Sequence, residues 1–268
     1  MDQLLLQPDD LAMYRRSRWR LLYRLPLLFI HLVLVLPLAA LAQSRWLRDR
    51  YLGSFTIEDY AARYWSRGLL RIFGLRVRVH GQLNHDPVLI LANHISWLDI
   101  VALMSLRSIR FVAKAEINRW PLIGLLVRRA RTIYVKRGSS DSAQRVLNDM
   151  TATLNDRQTV AIFPEGGIPA APGVARFRSR LLAAAQEAGV DLEPVCIRYR
   201  HGGAVDKLVT FLPGEHFMAN FIRLLGGPPM TLEIFLLPRL PSQGDRRQLA
   251  RQAETLVRDA YQRPATDV

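Results

Sequence analysis

The stretch that decides the fold is Val88-Leu-Ile-Leu-Ala-Asn-His-Ile-Ser-Trp-Leu-Asp99. Its first five residues form a short apolar run, which is typical of a buried strand in a parallel sheet. Ser96 and Asp99 have the Ser-x-x-acid spacing of a helix start, and His94 lies just before it. We therefore predict that the side chains of His94 and Asp99 converge where the strand passes into the helix.

This pair of side chains predicts acid–base chemistry. A neutral imidazole can take a proton from a hydroxyl, and a carboxylate can fix its tautomer and stabilise the imidazolium. The alternative is that Asp99 only caps the helix. Because no serine or cysteine nucleophile is evident beside His94, the activated hydroxyl is expected to belong to a substrate, as in a transferase. His201 and Asp206 repeat the spacing, but in a glycine-rich turn without a helix start, and we assign them no chemistry.

From Leu75 onward, strand and helix patterns alternate along the chain. Strands are predicted at 76–80, 88–92, 110–114, 132–136, 159–163, 192–199, 208–212 and 231–237. Helices are predicted at 97–106, 121–129, 142–154, 179–188, 216–225 and 245–261. This alternation predicts an α/β fold with a mostly parallel central sheet flanked by helices.

Polar residues follow three more of the predicted strands, and ligands of open α/β sheets gather at such strand ends. Arg137 has the bidentate geometry that suits a phosphate, and Lys114 is a second candidate phosphate contact. Glu165 is a candidate contact for a substrate hydroxyl or a basic residue, and Gly166 allows a ligand to approach the backbone. The alternatives are that Arg137 and Lys114 are solvated charges at strand ends, and that Glu165 and Gly166 belong to a plain turn.

The composition sets limits on the partners. The chain has 268 residues, half of them apolar, and a net charge of +14, which suits an anionic membrane or acidic and phosphorylated substrates. No nucleic-acid motif is present, so we expect no nucleic-acid partner. The single cysteine, Cys196, excludes an internal disulfide, and the histidines lack metal-ligand spacing, so no metal site is predicted. Arg176, Arg178 and Arg180 are interpreted as a solvated face that would also suit an acidic acyl carrier.

The N-terminal region predicts membrane contact. The apolar run 25–42 is barely long enough to cross a hydrocarbon core of about 30 Å, and arginines flank it on both sides. Three alternatives remain open: a cleaved signal peptide ending at Ala42, a spanning helix, and a helix that dips into one leaflet. The following helix, over 57–73, has an aromatic face and an arginine stripe at Arg63, Arg67 and Arg71, which suits either a lipid interface or packing on the domain.

We accordingly expect three segments. Residues 1–74 are predicted as membrane-anchoring helices, 75–263 as the α/β domain and 264–268 as a disordered tail.

Four short blocks resemble those of the glycerolipid (1-acylglycerol-3-phosphate) acyltransferase family, in the same order over 77–199. Residues 93–99 resemble its His-x4-Asp block, 132–137 its aromatic strand ending in arginine, 163–166 its Phe-Pro-Glu-Gly block and 193–195 its proline-valine block. The resemblance implies that His94 activates an acceptor hydroxyl, that Asp99 supports His94, and that Arg137, Lys114, Glu165 and Gly166 bind the acceptor.

The resemblance also implies the reaction and its location. The acyl group would pass from an acyl thioester, on coenzyme A or an acyl carrier protein, to a membrane lysolipid, with no cofactor. The expected acceptor is lysophosphatidic acid, which would yield phosphatidic acid at the cytoplasmic face of the inner membrane. Gly167 and Ile168 stand where the family has Thr and then Arg or Ser, so a phosphate-binding arginine is missing and lyso-ornithine lipid is the alternative acceptor.

Two rival functions remain. One is a non-catalytic lipid-binding protein, against which the intact His94 and Asp99 argue. The other is a hydrolase using the same pair, against which the lack of a Gly-x-Ser-x-Gly elbow argues.

Overall fold

Strands and helices alternate in the computed structural model, which describes residues 17–44, 46–84, 86–114, 132–135, 140–169, 173–202, 204–206 and 208–264. The strands are β1 (Tyr51–Leu52), β2 (Phe55–Thr56), β3 (Leu75–His80), β4 (Leu89–Ala92), β5 (Arg110–Lys114), β6 (Ile133–Val135), β7 (Val160–Ile162), β8 (Leu192–His201), β9 (Ala204–Val205) and β10 (Met230–Leu236). The helices are α1 (Arg18–Ile30), α2 (Leu36–Ala42), α3 (Ile57–Ile72), α4 (Leu98–Met104), α5 (Ser140–Asn155), α6 (Ala183–Ala188), α7 (Phe217–Leu225) and α8 (Arg246–Gln262). A π-helical turn joins α1 to α2, and a 3-10 turn precedes α6.

The central sheet has the strand order β3-β10-β8-β4-β7-β5-β6, with β9 paired to β8, while β1 and β2 form a separate hairpin. Along this order every neighbouring pair is parallel except β10 with β8. The carboxyl ends of β8, β4, β7, β5 and β6 therefore lie at one edge of the sheet. This confirms the predicted α/β fold with a mostly parallel sheet.

Both faces of the sheet are buried at its centre, where β4 and β7 are apolar at every position. In β4, Ile90 joins a core cluster with residues of α1, α3, α4 and α7. Leu89 and Leu91 face the other way and join a cluster with α5, α6 and α8. The protein is thus a three-layer sandwich, with one set of helices on each side of the sheet.

The predicted strand at 208–212 is wrong. Asp206 accepts hydrogen bonds from the amides of Leu208 and Val209, at 2.7 and 2.9 Å. Arg223 donates to the carbonyls of Leu208 and Thr210. Side chains thereby satisfy backbone groups that a neighbouring strand would otherwise pair, so apolar composition alone does not make this segment a strand. The predicted helix at 121–129 and residues 265–268 of the predicted tail lie outside the described residues.

One helical segment, Arg18–Ala42, is long and apolar enough to cross a membrane, with a mean hydropathy of 2.5. It also has two polar attachments to the domain. Arg24 is buried and donates to the carbonyls of Leu225 and Gly227, at 2.8 and 2.9 Å, at the end of α7. His31 bonds through Nε2 to the carbonyl of Trp65, at 2.9 Å. The segment therefore lies along the domain surface as far as His31 and exposes an apolar outer side, which includes Trp19, Phe29 and Leu38.

Helix α3 packs on the domain. Trp65, Leu69 and Leu70 are buried in the same core cluster as α4. Arg63 and Arg67 donate to the carbonyls of Leu106 and Ser105, just beyond the end of α4. Two arginines of the stripe, Arg63 and Arg67, thus bind the domain. Residues before and after position 74 belong to the same core cluster. The membrane role of residues 1–74 stays a prediction.

The end of α3 generates a stability prediction. Gly74 has φ +80°, and its added Cβ would meet the Arg24 guanidinium that holds the α7 carbonyls. We expect Gly74→Ala to lower the free energy of unfolding by about 1–3 kcal/mol more than Gly189→Ala, because it also displaces those hydrogen bonds. Gly189 is the matched control, since it ends α6 with φ +64° and its Cβ would meet nothing within 4 Å. Chemical unfolding in detergent measures both, and equal losses would contradict the anchoring role of Arg24.

Candidate active site

His94 and Asp99 meet at the carboxyl end of β4. His94 Nδ1 lies 2.8 Å from Asp99 Oδ2, and the side chains are 15% and 0% exposed. Because β4 ends at Ala92 and α4 begins at Leu98, the intervening turn brings together two residues that would lie on different faces of a continuous helix. The predicted convergence of the two side chains is what the structure shows; the catalytic roles stay a prediction.

The Asp99 carboxylate is fully engaged. In addition to His94, Oδ2 accepts the amides of Ile95 and Ser96, at 2.6 and 2.8 Å. Oδ1 accepts the hydroxyl of Tyr199, at 2.7 Å, from the adjacent strand β8. Charge-assisted bonds of this number satisfy a buried carboxylate and fix its position. Asp99 is therefore rigidly held as an acceptor for His94.

The position of the proton on His94 follows from this contact. A carboxylate acceptor requires that Nδ1 carries the hydrogen, so Nε2 of the neutral ring carries the lone pair. Within the described part of the chain, Nε2 has no hydrogen-bond partner. Phe163 stacks on the ring, with centroids 3.9 Å apart and planes inclined by 12°, and so fixes its orientation. The imidazole is thus arranged to accept a proton through Nε2.

Glu165 connects three segments at this edge of the sheet. Oε2 accepts the amide of His94 at 2.8 Å, and Oε1 accepts the amide of Ala175 at 2.9 Å. The side chain is a backbone clamp for His94, whereas the sequence predicted a contact to the acceptor, which remains a prediction. The amides of residues 94–96 donate to Glu165 and Asp99, so these groups do not serve as oxyanion donors.

Burial controls the charge of Glu165. Desolvation raises the pKa of its carboxyl from 4.5 to about 7, and the amides of Ala175 and His94 oppose that rise. The nearby carboxylates of Asp99 and Glu254 raise the pKa further. A proton on either oxygen would weaken that oxygen as an acceptor for its amide, so the two amide bonds favour the ionised form while burial favours the protonated one.

Gly166 brings an arginine to the same turn. Its φ of +86° favours glycine, and an added Cβ would lie 3.1 Å from Nη1 of Arg178. The Arg178 side chain therefore lies over Gly166, next to Glu165. It provides a cation near the place where Ile168 replaces an arginine of the family pattern.

The remaining predicted residues add no observed contact to this site. Lys114 ends β5 at the same edge of the sheet as His94, but its side chain and all of Arg137 lie outside the described residues. His201 bonds to the carbonyl of Pro229, while Asp206 holds the 208–209 turn, so this second pair forms no site. Among the described residues, no cluster of three or more His, Cys, Asp or Glu side chains could hold a metal.

Sequence reasoning missed Tyr199, Phe163 and Arg178 as neighbours of the site. A signal existed for Tyr199, because Val195, Ile197 and Tyr199 alternate along β8 and a buried tyrosine hydroxyl needs a partner. Phe163 lies in the predicted Phe-Pro-Glu-Gly block, but its stacking on His94 and the position of Arg178 depend on long-range packing that the sequence does not reveal.

A buried His–Asp pair at the carboxyl edge of a parallel sheet defines a site that can activate a hydroxyl. Residues 76–198 match the family model described as Acyltransferase. The lyso-ornithine lipid O-acyltransferase of Pseudomonas aeruginosa is 39% identical over 246 residues, which are 90% of this chain and 93% of that protein. The 1-acyl-sn-glycerol-3-phosphate acyltransferase of Neisseria meningitidis serogroup B is 33% identical over 50% of this chain and 53% of that protein.

The fold has a solved counterpart. The crystal structure of the 1-acyl-sn-glycerophosphate acyltransferase from Thermotoga maritima superposes with a TM-score of 0.65 at 21% identity, covering 91% of this chain and 95% of that one. The 39% identity with the Pseudomonas protein over 90% of this chain shows that the chain belongs to the acyltransferase family, and it is an acyltransferase. The apolar helix and the family together indicate membrane association.

The pKa of Glu165 predicts a pH-dependent stability. Its folded pKa, about 7, lies about 2.5 units above its ordinary value of 4.5. Between these values the unfolded chain loses the proton first, so the free energy of unfolding falls by up to about 3 kcal/mol as the pH rises from about 4.5 to 7 and is level above. We expect this slope in the difference between the wild type and Glu165→Gln, measured by chemical unfolding across pH 4–9. A pH-independent difference would contradict the raised pKa.

Proposed function

We propose that this enzyme transfers an acyl group from an acyl thioester to the free hydroxyl of a lysolipid. The observation that carries the proposal is the His94–Asp99 pair, with Nδ1 bound to a fully satisfied carboxylate and Nε2 without a partner in the described structure. The similarity to lysolipid acyltransferases along nearly the whole chain supports it.

The steps follow from this geometry. His94 Nε2 takes the proton of the acceptor hydroxyl. The oxygen of that hydroxyl attacks the carbonyl carbon of the thioester, and a C–O bond forms. The imidazolium is stabilised by Asp99, which stays ionised. The tetrahedral intermediate then breaks its C–S bond, and His94 returns the proton to the departing thiolate. The thioester is already activated, so this scheme uses no metal or redox cofactor.

The acceptor that we favour is a lyso-ornithine lipid. The Pseudomonas protein with that name matches 90% of this chain, whereas the Neisseria protein matches half of it. The headgroup of ornithine carries a carboxylate and no phosphate, and Arg178 over Gly166 offers a single guanidinium suited to a carboxylate. The Gly167-Ile168 departure also fits an acceptor without phosphate.

Lysophosphatidic acid, the acceptor first expected from the sequence, is the second candidate. The observation that favours it is the basic block that ends in Arg137, together with Lys114 at the end of β5.

We also propose a location for the reaction. The apolar outer side of α1 and α2 would enter the inner membrane from its cytoplasmic face, with His94 open to a cytoplasmic donor. The attachments through Arg24 and His31 favour a retained helix that lies against the domain and enters one leaflet. They argue against a cleaved signal peptide.

The first test concerns the base. We expect His94→Ala to lower kcat by about 10²–10⁴, because the proton of the hydroxyl then has no acceptor. The control is His201→Ala, since His201 lies on β8 and contacts only a loop carbonyl in the described structure. Transfer is measured with radiolabelled acyl donor, and thermal unfolding verifies the fold of both variants. Equal activity of the two variants would show that His94 is not the base.

The second test concerns the acceptor. We expect purified enzyme to show a higher kcat/KM with lyso-ornithine lipid than with lysophosphatidic acid at a fixed donor concentration. Arg178→Ala should raise the KM for lyso-ornithine lipid by about tenfold, the value of one charge-assisted contact, and leave the KM for uncharged acyl-pantetheine as the donor unchanged.

The opposite preference would favour the second candidate. In that case Arg137→Ala, and not Arg178→Ala, should raise the KM, by about 10- to 150-fold and for lysophosphatidic acid alone.

A further inference from the structure

Six exposed arginines form one surface beside the Gly166 turn. Two of them flank the buried Phe177 in the segment before α6, one begins the 3-10 turn that follows, and three lie in the first turns of α8. We call this surface the arginine cluster; its members are Arg176, Arg178, Arg180, Arg246, Arg247 and Arg251. Five of them line a cleft of about 380 Å³ whose floor includes Phe177 and Ala250, and Arg246 lines an adjoining cleft.

The cluster differs from the arginines inside the fold. Arg24, Arg63, Arg67 and Arg198 donate to backbone carbonyls that follow helices, and Arg223 is paired with Glu215. Within the described residues, no member of the arginine cluster lies within 4.0 Å of a carboxylate oxygen or has a side-chain hydrogen bond. Two carboxylates lie beside the cluster: Asp245 lines the adjoining cleft, and Glu254 accepts the amide of Phe177. Because the six guanidinium groups outnumber these carboxylates, the surface carries a net positive charge that favours an anionic partner.

The position of the cluster excludes the bilayer as the favoured partner. Helix α8 packs on the face of the sheet opposite to α1 and α3. The apolar outer side of α1 and the arginine cluster therefore belong to different layers of the sandwich. The cluster faces water, and through Arg178 it reaches the turn whose Glu165 holds His94.

The shape of the cluster favours a protein over a small molecule. Pockets for small ligands are concave and mostly apolar, with few polar groups. This cleft is open and walled by arginines from two segments that are distant in sequence, the one around Phe177 and the start of α8. Several anions spaced along one surface occur on an acidic helix, and exposed charges of one sign steer an oppositely charged protein.

We propose that the arginine cluster is the docking surface for an acidic acyl-carrier protein that delivers the thioester to His94. This inference rests on the proposed acyl transfer and names the source of the acyl group. The carrier's acidic helix would lie along the cleft, and its acyl arm would reach the sheet edge past Arg178 and Gly166.

The experiment reverses two charges of the cluster, in Arg180→Glu/Arg247→Glu. The matched control, Arg76→Glu/Arg78→Glu, changes the net charge equally on exposed positions of the outer strand β3, which does not line the cleft. The kcat/KM is measured at low salt with acyl-carrier protein, acyl-coenzyme A and uncharged acyl-pantetheine as donors. Binding of fluorescent carrier protein without an acyl group is titrated in parallel.

We expect the cluster variant to lose at least about tenfold in kcat/KM and in affinity with the carrier protein, with an effect that shrinks as salt rises. Its activity with acyl-pantetheine should equal that of the wild type, and the control variant should be unchanged with all three donors.

Three results would overturn the proposal: unchanged carrier binding in the cluster variant, a loss with acyl-coenzyme A that equals or exceeds the loss with carrier protein, or, in a parallel flotation assay with anionic lipid vesicles, a loss of vesicle binding while carrier binding stays normal. If the wild type transferred from no donor, the proposed function would fail, whereas the titration would still decide the docking surface.

Discussion

The buried carboxylate of Asp99 is the constraint on which the rest of the site depends. An ionised group that is 0% exposed is stable only if its oxygens are fully hydrogen-bonded, and here four donors converge on it. Two donors come from the turn before α4, one from His94 and one from β8. The demand for these bonds fixes how β4 ends, where α4 begins and how β8 lies beside β4. The catalytic geometry and the stability of the strand–helix junction are therefore the same set of contacts.

The positive charge of the chain has two different physical roles. Helix carboxyl ends leave carbonyls without partners and carry partial negative charge, so arginines are favourable there. Arg24, Arg63, Arg67 and Arg198 fill this role for α7, α4 and α8, and they attach elements that are distant in sequence. These guanidinium groups are bound to backbone carbonyls within the fold, so they say little about partners. The net charge of +14 indicates a partner only through the arginines that the fold does not bind. Within the described residues, the arginine cluster is a surface with such arginines.

The sequence was sufficient for features that depend on local patterns. The apolar run before His94 and the spacing to Asp99 predicted the strand, the helix and their junction, because both periodicity and capping act over a few residues. It was insufficient where long-range contacts decide. The segment 208–212 has the composition of a strand, yet Asp206 and Arg223 satisfy its backbone. For Glu165 the sequence contained no sign of its bonds to the amides of His94 and Ala175, residues 71 and 10 positions away, and its contact to the acceptor stays a prediction.

The layered fold explains how one histidine can serve two substrates of opposite character. An acceptor with fatty chains needs an apolar approach, and the layer that contains α1 supplies an apolar outer side. A water-borne donor needs a polar approach, and the layer that contains α8 supplies a basic one. His94 lies at the sheet edge between the two layers. Glu165 links the β4 edge to the segment that leads into the arginine cluster, so one side chain connects the proposed base with the proposed docking surface.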